Sequence, residues 1–331
     1  MQAVQAAAFG APSVLGVTEV AAPEPGPGRM TIDVTHAAVG LVDVFLRQGL
    51  YKDRPGMPQA PFVPGLEVAG TVRELGEGVT GFTVGERVVS MSAAIGTGGY
   101  ASVYLTDPAL VVSLDGFDVD SALAVSVLPN AAMAHVALTR VAHLAKGESV
   151  LVHGALGGFS AAFPGIATQL GASRVVGTVR AGRLEEAGRS RLPYDRIVDS
   201  AAMTEALAGE TFDIVIDPVG GDVRTRSLDL MGPGSRLLVG GNAGGDWDHA
   251  FPSNDLWQRS VTVSGFNSAA YLPSHPDAIR PALEAARTAL TAGLGEMEIE
   301  VLPFSEAATA HERMENRSLT GRIVLVPDTP A

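Results

Sequence analysis

The 331-residue chain contains no cysteine. That absence excludes disulfides, thiolate zinc sites, iron–sulfur clusters and a cysteine nucleophile together. Aromatic residues are scarce at 5%, so the 46% hydrophobic content is carried by Ala, Val and Leu, accompanied by 39 glycines. Cations are few as well: 23 Lys and Arg face 36 Asp and Glu, giving a net charge of −13, and only Lys52 and Lys146 are lysine. A chain this acidic has no general electrostatic footprint for nucleic acid or anionic membranes. No run approaches the roughly 18 to 20 consecutive apolar residues of a membrane span. The opening MQAVQAAAFG lacks the basic start and long apolar stretch of a signal peptide. These absences lead to the expectation of a cytoplasmic protein with neither a nucleic-acid nor a membrane partner.

At about 150 residues per domain, the length predicts two domains. The first third reads as β-rich, with strands expected at Met30–Val34, Val68–Glu74, Arg87–Met91 and Tyr100–Leu105 between Gly/Pro/Asp turns, and a short helix at Val42–Gln48. From about Asp118 the texture changes. Helical patterns at Asp120–Leu128 and Ala131–Ala142 lead into the strand Ser149–His153 and a Gly-rich turn. Strands at Arg174–Val179, Ile197–Val198, Phe212–Ile216, Arg236–Val239 and Ser260–Ser264 then alternate with helices, the pattern of a parallel sheet covered on both faces. A long helix at Pro276–Gly293, a helix at Ser305–Asn316 and a strand at Arg322–Val326 close the chain. The expected class is α/β, a β-rich domain interrupted by a doubly wound one.

The strongest local signal is SVLVHGALGGFS at Ser149–Ser160, a strand running through glycines into a helix. Such a turn presents free backbone N–H groups and the positive helix end to a diphosphate. Gly154 and Gly157 permit the tight turn and close approach, and Gly158 relieves crowding beside them. The third fingerprint glycine is replaced by Ser160, and Pro164 and Gly165 are poor residues for a helix interior. An NAD site wants an acid about 20 residues on; this chain offers Arg180 and Arg183 there, which suit a 2′-phosphate and favour NADPH.

Two other chemistries compete. Gly158-Phe159-Ser160-Ala161 imitates a nucleophile elbow, but Ala162 replaces the second glycine and the β-rich first third has no place in a hydrolase fold. The seven histidines (His36, His135, His143, His153, His249, His275 and His311) show no metal-ligand spacing, so no metal site is expected.

Taken together, AFGAPSVLGVTEVAAPEPGPG, DVFLRQGLY, PFVPGLEVAGTV, GEGVTGFTVGERV, LVHGALGG, DPVGGD and the terminal LTGRIVLVP resemble the zinc-free medium-chain dehydrogenase/reductase superfamily, in its quinone oxidoreductase (zeta-crystallin-like) branch. The resemblance implies a GroES-like catalytic domain over residues 1–122 and 268–331, a Rossmann domain over residues 123–267, NADPH as cofactor and a homodimer. It places the diphosphate loop at Gly154, Ala155, Gly157, Gly158 and Phe159, and the adenosine end at Thr178, Arg180 and Arg183. Nicotinamide-side contacts fall on Gly240, Gly241, Asn242, Gly265, Phe266 and Asn267. Arg322 matches a basic position that approaches the cofactor, Asn130 a family asparagine, and Tyr51 a tyrosine lining the substrate pocket, the candidate proton donor. Leu66 stands where zinc-dependent relatives carry a ligand histidine.

The chain departs from the family at Gly40-Leu41 (for Asn-Pro), Phe45 (for a second pocket tyrosine), Met133 (for a threonine) and Ser200 (for a tyrosine), which makes the pocket less polar. The activity implied is metal-free hydride transfer to a quinone or to the β-carbon of an α,β-unsaturated carbonyl, that is, a small-molecule carbonyl or quinone partner. An enone or enoyl reductase of specialised, polyketide-like metabolism is one alternative, and an NADPH-binding protein without turnover is another.

Overall fold

The computed structural model describes residues 1–92, 98–250, 253–295, 297–319 and 321–328. The chain divides into two compact units. Met1–Pro129, Leu272–Glu284 and Glu298–Ala331 form the first; Asn130–Tyr271 and Ala285–Met297 form the second.

The first unit contains β1 (Gln2–Ala6), β2 (Leu15–Glu19), β3 (Met30–Ala38), β4 (Glu67–Leu75), β5 (Arg87–Met91), β6 (Val103–Thr106) and β7 (Val111–Ser113). The second contributes β8 (Ser149–His153), β9 (Arg174–Val179), β10 (Arg196–Asp199), β11 (Phe212–Asp217), β12 (Met231–Val239) and β13 (Thr262–Gly265). The chain then returns to the first unit with β14 (Ile299–Pro303) and β15 (Arg322–Val326).

The large sheet of the first unit runs β14-β15-β3-β4-β5-β7, with β6 also on β3. Its organiser is the long strand β3. One edge of β3 pairs first with β6 (Met30–Asp33) and then, at Ala37 and Ala38, with β15, while β4 runs antiparallel along the other edge. Met30, Ile32, Val34 and Ala37 on β3, with Val68 and Val72 on β4, bury into one core with Tyr100, Tyr104 and Phe304. The tail strand is therefore part of the central sheet.

The second unit is a six-stranded parallel sheet of order β10-β9-β8-β11-β12-β13. Its inner strands are buried nearly throughout, VLVH in β8 and VVGTV in β9, as expected where helices cover both faces. The strand order reverses between β8 and β11. At such a switch point the loops leaving the C-terminal strand ends part and open a crevice.

Several expectations need correction. The N-terminal hairpin β1–β2 and the strands β7 and β14 are not among the expected strands. Strand β13 begins at Thr262 rather than at the expected Ser260, which adopts a left-handed φ of 56°. The two helical patterns flanking Pro129 form one helix, Ser121–Val136, continuing into a π-turn at Ala137–Val141. Its residues Ala124 to Ala132 are all buried, and that packing offsets the roughly 3 kcal/mol cost of an internal proline. The whole stretch Ser121–Val141 is 21 residues long and apolar enough to cross a membrane, but 78% of its most apolar window lies buried inside the molecule, which marks a core helix.

The unit boundaries also lie elsewhere than the expected residues 123 and 267, and residues 285–297 join the second unit. Leu294 explains part of this: its carbonyl oxygen would sit 2.3 Å from a Cβ on Gly165. Met297 likewise packs on the cluster of Ala155, Leu156 and Ala161.

Candidate functional site

The Gly-rich turn leaves β8 on one side of the switch point. Gly154 has a φ of +64°, a conformation that costs glycine little and other residues more. The Ala155 amide returns to the Thr178 carbonyl at 2.9 Å and the Gly157 amide to that of Gly154 at 2.7 Å. The amides of Leu156, Gly158 and Phe159 make no hydrogen bond to any other described residue, leaving three donors for an anion.

Ser160, where the fingerprint has glycine, donates its hydroxyl to the His153 carbonyl at 2.8 Å and is buried. That hydroxyl is committed to the turn, which removes the nucleophile-elbow reading. Pro164 sits in the first turn of the helix Phe163–Gln169, where a missing N–H costs little. Tyr194, which the sequence did not single out, clamps the loop from outside, its hydroxyl 3.1 Å from the carbonyls of Ala155 and Ser160.

Across the switch point, the turn after β11 is built on Asp217. This fully buried carboxylate accepts from the amides of Val219 and Gly220 at 2.8 Å and from Arg224 Nε at 2.6 Å. Arg224 in turn donates to the Gly241 carbonyl at 2.9 Å, tying the β11 turn to the Gly240–Asn242 turn after β12. Asn242 lies between them. The residue is 9% exposed, and neither Oδ1 nor Nδ2 has a hydrogen-bond partner among the described residues. Gly220 makes room for it, since a Cβ there would lie 2.1 Å from Asn242 Oδ1. A buried amide with both ends unpaired costs about 1–3 kcal/mol per lost bond, the mark of a position that a polar ligand completes.

The adenosine-side residues fare unevenly. Thr178 is fully buried and its hydroxyl lies 2.9 Å from His153 Nδ1, so the expected ligand contact is corrected to an interior one. His153 Nε2 meets Ser227 Oγ at 2.7 Å, and burial lowers the imidazole pKa to about 4. Arg180 is exposed at the end of β9. Arg183 is engaged with Glu186, Nε to Oε2 at 2.7 Å. On the other side of the sheet, Phe266 is buried against Tyr271 with ring centroids 5.9 Å apart. Asn267 is exposed and accepts from the Ala269 amide at 3.1 Å, capping a short helix. Asn130 is buried in the long helix that also holds Met133.

In the first unit, the helix Leu41–Gln48 ends on Gly49 and delivers Tyr51. Tyr51 stands edge-on to Phe45, centroids 6.2 Å apart at 87°, with the Arg54 guanidinium carbon 4.9 Å from its ring centre. Burial raises the Tyr51 pKa, partly opposed by Arg54, so the hydroxyl keeps its proton at neutral pH. The expectation for Arg322 needs correcting: it is 5% exposed, its guanidinium paired with Glu67 and donating to the Ser126 carbonyl at 2.6 Å. Its charge is thus spent inside its own unit.

The same helix starts on a buried relay that the sequence did not reveal. Arg47 Nε donates to His311 Nδ1 at 3.2 Å, which leaves Nε2 to face the Tyr100 hydroxyl at 3.3 Å. Tyr100 donates to Asp43 Oδ2 at 3.1 Å, and Asp43 also accepts from the amides of Gly40 and Gly65 at 2.8 and 3.1 Å. Burial is the main cause raising the Asp43 pKa to about 7. Among the described residues no cluster of three or more His, Asp or Glu could hold a metal ion.

Comparison with known proteins agrees with this geometry. The alcohol dehydrogenase GroES-like domain family matches residues 26–116, and the family described as zinc-binding dehydrogenase matches residues 192–325. A quinone oxidoreductase of Pseudomonas aeruginosa is 31% identical over 337 residues, covering 98% of this chain and 99% of its own. A 2-haloacrylate reductase of a Burkholderia species is 29% identical over 315 residues, covering 93% and 94%. A mycobacterial protein solved in complex with NADPH superposes with a TM-score of 0.85 at 28% identity, covering 99% of this chain and all of its own. The chain belongs to the medium-chain dehydrogenase/reductase superfamily, in its quinone oxidoreductase-like branch.

Proposed function

We propose that the protein is an NADPH-dependent, metal-independent oxidoreductase that reduces a quinone or the carbon–carbon double bond of an α,β-unsaturated carbonyl compound, acting in the cytoplasm as a homodimer. The observation that carries the reading is the buried, unpartnered amide of Asn242 between two glycine turns at the sheet's switch point. A nicotinamide nucleotide suits that place, because its carboxamide and ribose offer both donors and acceptors. The relatives named for quinone and haloacrylate reduction, and the NADPH complex of a similar protein, support the same reading.

NADPH, when bound, supplies the hydride. The protein's residues bind, orient and stabilise. The amides of Leu156, Gly158 and Phe159 would hold the diphosphate, Asn242 the nicotinamide end, and Arg180 with Arg183 the 2′-phosphate. Tyr51 would donate a hydrogen bond to the acceptor oxygen as negative charge develops there, the one place where preorganised donors lower the barrier. Metal independence rests on the sequence: there is no cysteine, Leu66 replaces a ligand histidine, and Glu67 is bound to Arg322.

The test is a titration of NADPH against wild-type protein and Asn242→Ala, paired with thermal unfolding of the cofactor-free proteins. Because the substitution removes unpaired buried groups, cofactor-free stability should hold or rise while the NADPH Kd rises about tenfold, the loss of one good hydrogen bond. Equal NADPH affinity in both proteins would remove the ground for this reading.

A further inference from the structure

The chain has 13 more acidic than basic residues, and many of its arginines are held by carboxylates. Arg47 pairs with Glu315, Arg174 with Glu210, Arg224 with Asp217, Arg236 with Glu148 and Arg313 with Glu300. Arg54 is different. It is exposed, its guanidinium makes neither a hydrogen bond nor an ion pair with another described residue, and it lies over the Tyr51 ring. Lys52, one of the only two lysines, is on the same turn and equally unpaired. The single acid between them is the exposed Asp53, so the turn carries a net positive charge on an otherwise negative molecule.

The turn is also built. The Lys52 amide donates to the Gly49 carbonyl at 3.2 Å, the Arg54 amide to Tyr51 at 2.9 Å and the Met57 amide to Arg54 at 3.3 Å. Gln59 Nε2 closes it onto the Lys52 carbonyl at 3.1 Å. A guanidinium stacked on an aromatic ring uses its face and leaves its N–H edge free, and that edge is the fork that fits a carboxylate. Tyr51 is the residue to which the proposed function gives the acceptor oxygen.

We propose that Arg54, supported by Lys52, selects acceptors that carry a carboxylate beside the reducible group. This rests on the reductase reading and names its substrate class. An anionic acceptor approaching a chain at −13 is repelled in bulk, so a local cation beside Tyr51 is what makes such a substrate bindable.

The test compares two matched acceptor pairs, 2-chloroacrylate with its methyl ester and a naphthoquinone carboxylate with its methyl ester, in wild-type, Arg54→Ala and Arg54→Lys proteins. In each pair the carbon skeleton is shared; esterification removes the charge and also changes the intrinsic reactivity, a difference that cancels when the acid-to-ester ratio is compared between proteins. The acid-to-ester ratio of kcat/KM should fall about tenfold or more in Arg54→Ala, the loss of a charge-assisted bond, with Arg54→Lys in between. The wild-type ratio should fall as salt rises. If the ratio does not change while both members of a pair are turned over, Arg54 merely packs on Tyr51 and this proposal fails alone. If no member of either pair is reduced, the reductase reading fails and takes the proposal with it.

Discussion

Arg183 and Glu186 form a forked ion pair three residues apart, Nε to Oε2 at 2.7 Å, at the end of β9 where the 2′-phosphate of NADPH is expected. The cation proposed to recognise the phosphate is thus already shared with a carboxylate. A phosphate carrying nearly two negative charges must take Arg183 over or bind beside it.

This gives a paired prediction. Arg180→Ala with Arg183→Ala should weaken NADPH binding by about two orders of magnitude, since charge-assisted bonds contribute about 1.5–3 kcal/mol each, and leave NADH hardly affected. Glu186→Gln should tighten NADPH binding by freeing Arg183. Affinities from fluorescence titration decide it: equal losses for both cofactors would show that the arginines hold the fold or the diphosphate.

Much of this molecule is legible in its sequence, and the residues show why. Strands β8, β9 and β11 are short apolar runs bounded by glycine or charge, so their burial on both faces is written in their composition. The edge strand β13 follows from SVTVS beyond a polar loop. What stays hidden depends on partners far away in the chain. Arg322 reads as a cofactor cation because it matches a basic position of the resembled family, yet Glu67, 255 residues earlier, claims it. Tyr194 gives no local sign that its hydroxyl spans the Ala155 and Ser160 carbonyls, and the relay from Arg47 through His311 and Tyr100 to Asp43 joins three separate segments. Asn242 is visible as a family position; that its amide is buried without a partner is visible only in three dimensions.

Acid should destabilise the protein through His153. Burial depresses its pKa from 6.5 to about 4, so between those values the unfolded chain binds more protons than the folded one. Stability from this group is complete above pH 6.5 and is lost as pH falls towards 4. His311, lowered to about 3 by burial and Arg47, adds in the same direction, while Asp43, raised to about 7, opposes both. Urea unfolding of His153→Gln should give a shallower slope over that window, by up to about 1.4 kcal/mol per pH unit. Parallel slopes in the two proteins would show that His153 is not the acid-sensitive group.

The free edge of β13 bears on assembly. Among the described residues it pairs only with β12 in the six-stranded sheet, and an unpaired strand edge invites its own symmetry mate. The nearby helix Ser253–Arg259 carries Trp257 74% exposed. A homodimer continuous across this edge predicts twice the 34.1 kDa chain mass in light scattering, and Val263→Pro should shift it to the monomer. A wild-type protein that scatters as a monomer at micromolar concentration contradicts the dimer.

The central claim is tested most directly by following NADPH oxidation by chelator-treated protein across quinones and enones. The account predicts saturable, acceptor-dependent oxidation with at least one of them, faster with NADPH than with NADH and unchanged by added zinc. NADPH that binds but is never oxidised, or turnover that appears only when zinc is restored, would contradict it.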